Sequence, residues 1–531
     1  MPLKAEKIKI FLFFFAFYLI NLTYNFSSAS DGITYLNEFE SSTNLFQPHH
    51  LFYHLTTYVW FKCIHFILPF LDNNYIIESI NILWGAGALT VFYLILRHRF
   101  QLPANKAFIG TLLPGFSFGV WFYSTNIEVY APPLFFIFVI VYLLSKPVLT
   151  RKDIWLIIFS HVLVILFHQV SVLLTPPILL SLFLRRKEIN FIRYFLQHAI
   201  VGGGSVVLVY FLTGWVILGN NDMTSFTNWL EGYTNTPGYW FPLNIHTLMN
   251  ACIGFGRAFL GSHFVFKVGF VENYMQESFF YHNLEDEVYL VRNMSGTTAM
   301  ILLALTVLLI LIAAYMLVRV LLRAKTLSRQ FSYILVPLLS VLAVYVIFFI
   351  FWMPQIVDFW IPQTALVWAV LAGCWFNLPS NRNKKSAYYT VITLAALLLV
   401  INYFGSIRWL KNIDNDYYYA KVKEVNTISS NKDMLLLQDG WLIKSYIHRY
   451  AVAGNEFIPE TGNDKERAAV DSSLQQTMDN GGAVLLLNDK KSFFHSISNS
   501  TYIDSLLHAP LNSVDSLKTP LNSIKIIRKK Q

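Results

Sequence analysis

Three acidic residues of this chain stand at the ends of long apolar runs, where a carboxylate can do chemistry. Asp31 lies a few residues beyond the first apolar run, Glu128 begins another, and Asp358 lies between two more. An ionisable residue beside a membrane span is more often functional than its counterpart in a soluble protein. Such a carboxylate can accept the proton of an attacking hydroxyl, although an acid at a helix N-terminus is also stabilised by the helix dipole.

Three histidines and one arginine are candidates for binding a phosphate group. His49 and His50 follow Gln47-Pro48, His168 lies between two apolar runs, and Arg257 lies in a long polar stretch. The planar guanidinium of arginine suits a phosphate, yet it can equally contact anionic lipid head groups. A histidine in such a junction can also simply bond a neighbouring carbonyl. The sequence therefore leaves both interpretations open for these four residues.

Aromatic residues surround Glu128 and Asp358. Tyr130 follows Glu128, and Trp360 follows Asp358. Aromatic residues at the ends of membrane spans usually form a belt at the membrane–water interface. They can also stack on a sugar, so Tyr130 is a candidate substrate-binding residue. No His, Cys, Asp or Glu cluster has the spacing of a metal site. We therefore predict no metal cofactor, and the sequence does not decide whether a divalent ion assists.

The composition determines what kind of protein must position these residues. Of 531 residues, 55% are hydrophobic, 17% aromatic and only 13% charged, against about 25% charged in a typical soluble domain. This excludes a soluble enzyme, a disordered protein and a fibrous repeat. The formal net charge of +9 is placed mainly in short loops between apolar runs, so it indicates membrane orientation and no nucleic-acid partner.

A membrane span needs roughly 20 mostly apolar residues, and the sequence predicts eleven. The predicted spans are Ile8–Tyr24, Ile76–Leu96, Ala107–Tyr123, Val129–Leu144, Ile154–Phe167, Val170–Leu184, Tyr194–Leu218, Thr297–Leu322, Phe331–Phe351, Phe359–Phe376 and Ala387–Phe404. A further run, Leu51–Leu71, is long enough but carries His54, Lys62 and His65. If it crossed, the basic loops would move outside, so we expect a helix along the outer interface.

The resulting fold class is a polytopic α-helical membrane protein with a small C-terminal α/β domain. Residues 1–404 form the transmembrane domain, with outer loops 25–75 and 219–296, and residues 405–531 form a soluble extracytoplasmic domain. In the C-terminal domain Met434–Leu437 and Ala483–Leu487 are predicted strands. The N-terminus is expected in the cytoplasm. In a bacterium, this places the protein in the inner membrane and its C-terminal domain in the periplasm.

Several of these segments together resemble a known family. Ser30-Asp31-Gly32 opens the first outer loop, Gln47-Pro48-His49-His50 follows, and Trp121 leads to Glu128-Val129-Tyr130 at the start of a span. Over roughly residues 8–404 this arrangement resembles the bacterial protein O-mannosyltransferase-like membrane proteins of the GT-C glycosyltransferase superfamily. Two features depart from the family pattern: Asp31 is followed by Gly32, with the next acid only at Glu38, and the loop reads Gln47-Pro48-His49-His50 instead of His-Pro-Pro.

The resemblance implies a glycosyltransferase that takes a sugar from a polyprenyl-phosphate carrier and attaches it to an extracytoplasmic acceptor. In that family an acid in the first outer loop activates the acceptor, and Asp31 occupies this position here. A second acid of the family lies at the next outer junction between spans, and Glu128 occupies that position. We expect the two carboxylates to share one outer pocket. Its partners would be the lipid-linked donor, membrane lipids and a protein, lipid or glycan acceptor. Two alternatives remain: a transporter or flippase of lipid-linked glycans, and a polysaccharide ligase or polymerase.

Overall fold

The computed structural model describes residues 3–29, 31–232, 234, 238–269, 271, 273, 285–380, 385–437, 441–457, 464–487, 500–510 and 512–530. Ser30 of the predicted Ser30-Asp31-Gly32 segment lies outside them. The chain forms two compact units. The first comprises Met1–Thr23, Glu38–Ser262 and Met300–Arg408, and the second comprises Tyr24–Asn37, His263–Ala299 and Trp409–Gln531. Both units are therefore assembled from three separate stretches of chain.

The first unit is almost entirely helical. Its α-helices, including two that continue into the second unit, are Leu3–Ile20, Gly32–Ser41, Leu51–Ile67, Asn73–Leu94, Ala104–Phe116, Phe118–Ser124, Ala131–Leu144, Arg151–Phe167, Thr175–Phe183, Phe191–Gln197, Gly204–Phe211, Met223–Glu231, Ile245–Phe259, Gly296–Leu321, Ala324–Gln330, Ser332–Phe351, Ile361–Asn377 and Lys385–Asn402. Short 3-10 helices cover Pro48–His50, Gln169–Leu174 and Asp358–Trp360, and π-helical turns cover Ile95–Arg99, His198–Gly203, Leu212–Ile217 and Tyr403–Ile407.

Six helices among the described residues are long and apolar enough to cross a membrane. They are Asn73–Arg99, Phe191–Ile217, Gly296–Leu321, Ser332–Phe351, Asp358–Asn377 and Lys385–Leu410. Each overlaps a predicted span, so the prediction of a polytopic helical protein is confirmed. Other predicted spans form shorter helices. One of them, Ala131–Leu144, has 14 residues and starts only at Ala131, because prolines occupy its first turn. The number eleven is not confirmed.

The predicted span Ala107–Tyr123 is not one straight helix, because the chain bends within it. Helices Ala104–Phe116 and Phe118–Ser124 meet at an angle of 74°. Ser117 between them is extended, with φ −69° and ψ 138°, and Pro114 lies in the preceding turn. Proline weakens the helical hydrogen-bond ladder, and the bend frees backbone groups that must find other partners.

Side-chain donors satisfy the backbone freed by this bend. The Asn402 amide donates to the carbonyl of Phe116 over 2.7 Å. The Thr23 hydroxyl donates to the carbonyl of Thr125 over 2.7 Å. The Asn81 amide donates to the carbonyls of Asn126 at 2.7 Å and Glu128 at 2.6 Å. Three buried polar side chains from distant parts of the chain therefore bind the backbone on both sides of the short helix Phe118–Ser124.

The predicted outer loop 219–296 contains the amphipathic helix Ile245–Phe259. The face that packs into the first unit carries small residues, namely Thr247, Ala251, Gly254 and Ala258. A Cβ at Gly254 would lie 2.4 Å from the carbonyl oxygen of Pro354, so only glycine fits this close approach. The large apolar side chain of Ile245 stays exposed, as an interfacial helix requires.

The second unit contains a five-stranded mixed sheet. Its strands are β1 (Met434–Leu437), β2 (Gly454–Phe457), β3 (Val484–Leu487), β4 (Asn512–Lys518) and β5 (Ser523–Lys529), in the order β2-β1-β3-β5-β4. β1 runs parallel to β2 and β3, and β5 runs antiparallel to β3 and β4. The α-helices Glu285–Leu290, Arg408–Leu410, Tyr417–Ile428, Trp441–Tyr450, Asp464–Asp479 and Ser500–Leu507 and the 3-10 helices His263–Lys267 and Ile413–Asn415 complete the list.

The completely buried carboxylate of Asp416 joins the distant stretches of the second unit. Its Oδ2 accepts hydrogen bonds from the backbone N–H of Phe26 at 2.8 Å and from the Tyr446 hydroxyl at 2.5 Å. Its Oδ1 accepts from the Ser27 hydroxyl at 2.6 Å and from the backbone N–H of Tyr419 at 3.0 Å. Asp416 is thus also the N-cap of helix Tyr417–Ile428.

We expect Asp416→Ala to destabilise the protein by about 3 kcal/mol or more, because it leaves several buried donors without an acceptor. Thermal unfolding of the full chain in detergent measures this as a lower transition midpoint. Asp504→Asn, a change at an exposed aspartate of the same unit, is the control and should leave the midpoint unchanged. Equal midpoints for Asp416→Ala and wild type would contradict the role assigned to this carboxylate.

Candidate active site

A cluster of buried imidazoles lies in the first unit. The rings of His50 and His168 meet edge to face with centroids 4.8 Å apart. His49 lies next to them, and its Nδ1 is 2.7 Å from Oε1 of Gln169. All three histidines are buried. The three candidates come from two separate parts of the sequence, and the structure brings them together.

The short 3-10 helix Pro48–His50 holds two of these histidines, and its surroundings fix it in place. The Tyr210 hydroxyl donates to the carbonyl of Pro48 over 2.8 Å, and the Trp229 indole donates to the carbonyl of Phe46 over 3.1 Å. Gly232 has a positive φ of 50°, and a Cβ there would lie 2.5 Å from Nε2 of His49. Backbone and aromatic groups from the stretch 210–232 therefore hold the histidine loop.

A pair formed by an acid and a histidine supports the same loop. Nε2 of His54 lies 3.3 Å from Oε2 of Glu38, and Nδ1 of His54 lies 3.4 Å from the carbonyl oxygen of His50. Glu38 also accepts from the Asn44 amide at 2.6 Å and the Gln47 amide at 3.3 Å. Sequence reasoning named Glu38 only as the next acid in the loop and missed its pairing with His54.

Tyr130 lies against both His168 and the segment that contains Asp358. Its ring lies 5.4 Å from that of His168 and 6.1 Å from that of Phe359, between centroids. Asp358 directly precedes Phe359 and begins the 3-10 helix Asp358–Trp360. Tyr130, His168 and the Asp358 segment therefore belong to one region of the first unit.

Glu128 is almost completely buried, two residues before Tyr130. The Asn81 amide that binds the Glu128 carbonyl also donates to the Tyr53 hydroxyl over 3.2 Å. Burial raises the pKa of the Tyr53 hydroxyl, and the nearby Glu128 carboxylate raises it further. Glu128 is thus a buried acid just before helix Ala131–Leu144, and Asn81 and Tyr53 are neighbours that sequence reasoning did not identify.

Two further candidates are Arg257 and Asp31. Arg257 is partly exposed in the last turn of helix Ile245–Phe259, in the first unit. Asp31 belongs to the second unit, where its Oδ2 accepts a hydrogen bond from the Tyr35 hydroxyl at 3.0 Å. It immediately precedes helix Gly32–Ser41 and is partly exposed.

Burial makes the clustered histidines neutral at physiological pH. Desolvation lowers the pKa of His168 to about 3 and the pKa of His50 well below its usual value, and neighbouring imidazoles lower both further. Desolvation also lowers the pKa of His49, against the hydrogen bond to Gln169. A neutral imidazole has one N–H donor and one acceptor. Nδ1 of His168 is buried and has no hydrogen-bond partner among the described residues.

The described residues hold no group of three or more His, Cys, Asp or Glu side chains arranged to bind a metal ion. The cluster offers hydrogen bonding by neutral imidazoles and by the side-chain amide of Gln169. Such groups can bind the oxygens of a phosphate.

Comparison with known proteins identifies part of this region. Residues 58–190 match the family model of the protein O-mannosyl-transferase TMEM260 N-terminal domain. This segment includes Glu128, Tyr130 and His168, and it excludes His49 and Asp31. None of the curated protein sequences matches the chain.

The fold is similar to that of ArnT from Cupriavidus metallidurans. The structure of ArnT bound to undecaprenyl phosphate superposes with a TM-score of 0.54 at 12% identity, covering 99% of this chain and 98% of ArnT. The apo structure of ArnT gives a TM-score of 0.58 at 10% identity with the same coverage. The family match over residues 58–190 confirms the predicted resemblance to O-mannosyltransferase-like proteins, and the ArnT superpositions show a similar fold.

The neutral histidines predict a pH dependence of stability. Below about pH 6.5, His168 binds a proton in the unfolded chain but stays neutral in the folded protein, where its pKa is about 3. The free energy of unfolding therefore decreases as the pH is lowered from about 6.5 to about 3. Each such histidine costs about 1.4 kcal/mol per pH unit in that range. We expect His168→Gln to reduce this slope, measured by unfolding midpoints between pH 6 and 4.

Exposed His246, changed to Gln, is the matched control and should leave the slope as in wild type. The same slope in His168→Gln as in wild type would show that His168 is protonated in the folded protein.

Proposed function

We propose that this O-mannosyltransferase-like protein transfers a sugar from a polyprenyl-phosphate carrier to an acceptor on the outer face of the membrane. The observation that carries the proposal is the buried cluster of His49, His50 and His168, in which His168 lies against Tyr130, a residue close in the chain to the buried Glu128. The undecaprenyl phosphate bound by the similarly folded ArnT supports a polyprenyl carrier here. The acceptor can be a protein, a lipid or a glycan.

In the proposed reaction the oxygen of an acceptor hydroxyl attacks the anomeric carbon of the sugar. The bond from that carbon to the phosphate oxygen breaks, and polyprenyl phosphate leaves with the electron pair. The hydroxyl proton passes to a carboxylate, for which we propose Asp31. Glu128 stabilises the positive charge that develops at the anomeric carbon.

The histidine cluster is proposed to bind the departing phosphate. The phosphate gains negative charge as the bond to the sugar breaks, so donors aimed at it stabilise the transition state more than the ground state. Nδ1 of His168 is a buried ring nitrogen without a partner among the described residues, and a ligand oxygen would satisfy it. We propose Arg257, Asp358 and Tyr130 as further substrate-binding residues around the head group and sugar.

The topology proposed with this function has the N-terminus in the cytoplasm, eleven crossings, and residues 405–531 as an extracytoplasmic domain. In a bacterium this places the reaction at the periplasmic face of the inner membrane. The basic loops, such as Arg97-His98-Arg99 and Arg185-Arg186-Lys187, support this orientation. Membrane lipids surround the bundle, and no nucleic acid takes part.

We expect Asp31→Asn and Glu128→Gln each to lower kcat by roughly 10²–10⁴-fold, the usual contribution of a positioned acid or base. The assay presents undecaprenyl phosphates carrying different labelled hexoses to the purified full chain and follows release of undecaprenyl phosphate. Glu188→Gln, at an exposed glutamate, is the matched control and should retain wild-type turnover.

Unchanged turnover in Asp31→Asn would remove Asp31 from the mechanism. If wild-type protein releases no carrier phosphate but moves a lipid-linked glycan across vesicle membranes, the alternative of a transporter or flippase replaces the transferase. A product in which glycan chains have been joined would favour a ligase or polymerase.

We expect His50→Gln and His168→Gln to lower kcat by about 10-fold or more with a smaller rise in KM, because the phosphate gains charge only as it departs. Steady-state kinetics with the same donor measures both constants. His246→Gln serves as the control. A rise in KM at constant kcat would show that these histidines bind the donor equally in ground and transition states.

A further inference from the structure

A cleft of about 440 Å³, lined by charged and polar residues, lies within the second unit. Helix Tyr417–Ile428 provides one wall, and the turn after β4 and the segment 289–292 provide others. The side chains that matter for its chemistry are Tyr289, Arg292, Asp414, Tyr419, Lys423 and Glu424. The cleft therefore combines two cations, two carboxylates and two phenol rings.

Arg292 is held rigidly in this cleft. One of its terminal nitrogens donates to the carbonyl of Tyr289 at 2.9 Å and to Oδ1 of Asn415 at 3.1 Å. The other donates to the carbonyl of Asp414 at 2.9 Å. Its guanidinium lies 3.7 Å from the centre of the Tyr289 ring. A cation fixed in this way can donate to a ligand with little loss of side-chain entropy.

The two carboxylates of the cleft are prepared to accept hydrogen bonds. Oε2 of Glu424 accepts from the backbone N–H of Leu521 at 3.2 Å, from the Asn522 amide at 3.0 Å and from the Thr519 hydroxyl. None of the hydrogen bonds among the described residues uses Oε1 of Glu424. Oδ1 of Asp414 lies 3.2 Å from Nζ of Lys423, and both side chains are more than half exposed. An exposed ion pair of this kind exchanges easily with ligand or water.

The net charge and the walls of the cleft disfavour several classes of ligand. The two positive and two negative side chains carry no net charge together, so the cleft does not attract a phosphate or a nucleic acid electrostatically. The walls are helix Tyr417–Ile428, the end of helix Glu285–Leu290 with the turn after it, the 3-10 helix Ile413–Asn415 and a hairpin turn. None of them offers the open strand edge to which an extended peptide adds as a new strand. Hydroxyl groups, by contrast, both donate to carboxylates and accept from arginine and lysine, while a sugar ring packs on an aromatic face.

We propose that this cleft binds a neutral carbohydrate chain. Sugar hydroxyls donate to Glu424 Oε1 and Asp414, accept from Arg292 and Lys423, and the ring packs against a tyrosine. The proposal goes beyond the transfer reaction and does not rest on it, because the cleft lies wholly within the second unit and binding needs no donor.

The test measures binding of neutral linear oligosaccharides, mannopentaose and maltopentaose, to the purified full chain in nanodiscs by saturation-transfer NMR and calorimetry. A galacturonic acid pentamer and an uncharged serine–tyrosine peptide are presented in parallel. We expect saturable binding of a neutral oligosaccharide only. The double variant Asp414→Asn, Glu424→Gln should bind it at least about tenfold more weakly, because two acceptors of hydroxyl protons lose their charge.

Asp515→Asn is the matched control, because Asp515 is an exposed carboxylate of the same unit that pairs with Arg528 at 2.9 Å. It should bind as wild type does, and thermal unfolding should show that all variants fold. The proposal is overturned if no neutral oligosaccharide binds, if the double variant binds equally well, or if the peptide or the acidic pentamer binds in their place. Release of undecaprenyl phosphate, assayed separately, distinguishes this failure from that of the transferase proposal.

Discussion

Non-helical backbone inside an apolar bundle must find hydrogen-bond partners, and this constraint shapes the first unit. Unsatisfied backbone groups in a membrane cost several kcal/mol each, so irregular chain is tolerated there only where other protein groups satisfy it. The buried amides of Asn81 and Asn402 meet this requirement for the stretch that follows the bend at Ser117. The position of Glu128 and Tyr130 therefore depends on side chains far away in the sequence.

The long helices were predictable because a span is a local property of composition. Gly296–Leu321 and Ser332–Phe351 agree with the predicted runs within a residue. The bend between Phe116 and Phe118 was not predictable from hydropathy, because the run stays apolar on both sides. Pro114 was a visible signal, but its effect depends on whether distant donors can satisfy the freed carbonyls, and an apolar pattern does not report that.

The candidate site was predictable by residue type and only partly by arrangement. His49, His50 and His168 were recognisable because histidines are unusual beside apolar runs, and they meet in one cluster. Their supporting residues were not recognisable. Tyr53 and Asn81 lie inside apolar segments, where the pattern resembles ordinary core. In the second unit, strand β1 could be predicted because it is a short apolar run. Strand β4 could not, because it consists mostly of polar residues and its sequence resembles a loop.

The hydrogen bond from Phe26 to Asp416 joins residues 390 positions apart, which has a consequence for biosynthesis. Ribosomes add about 5–20 residues per second, so the stretch 24–37 emerges roughly 20 to 80 s before its partner. During that interval the backbone N–H of Phe26 and the hydroxyl of Ser27 lack the carboxylate that accepts their hydrogen bonds in the folded protein. Completion of the second unit is therefore a late, post-insertion event, and any truncation before Asp416 would leave the early stretch exposed to proteases and chaperones.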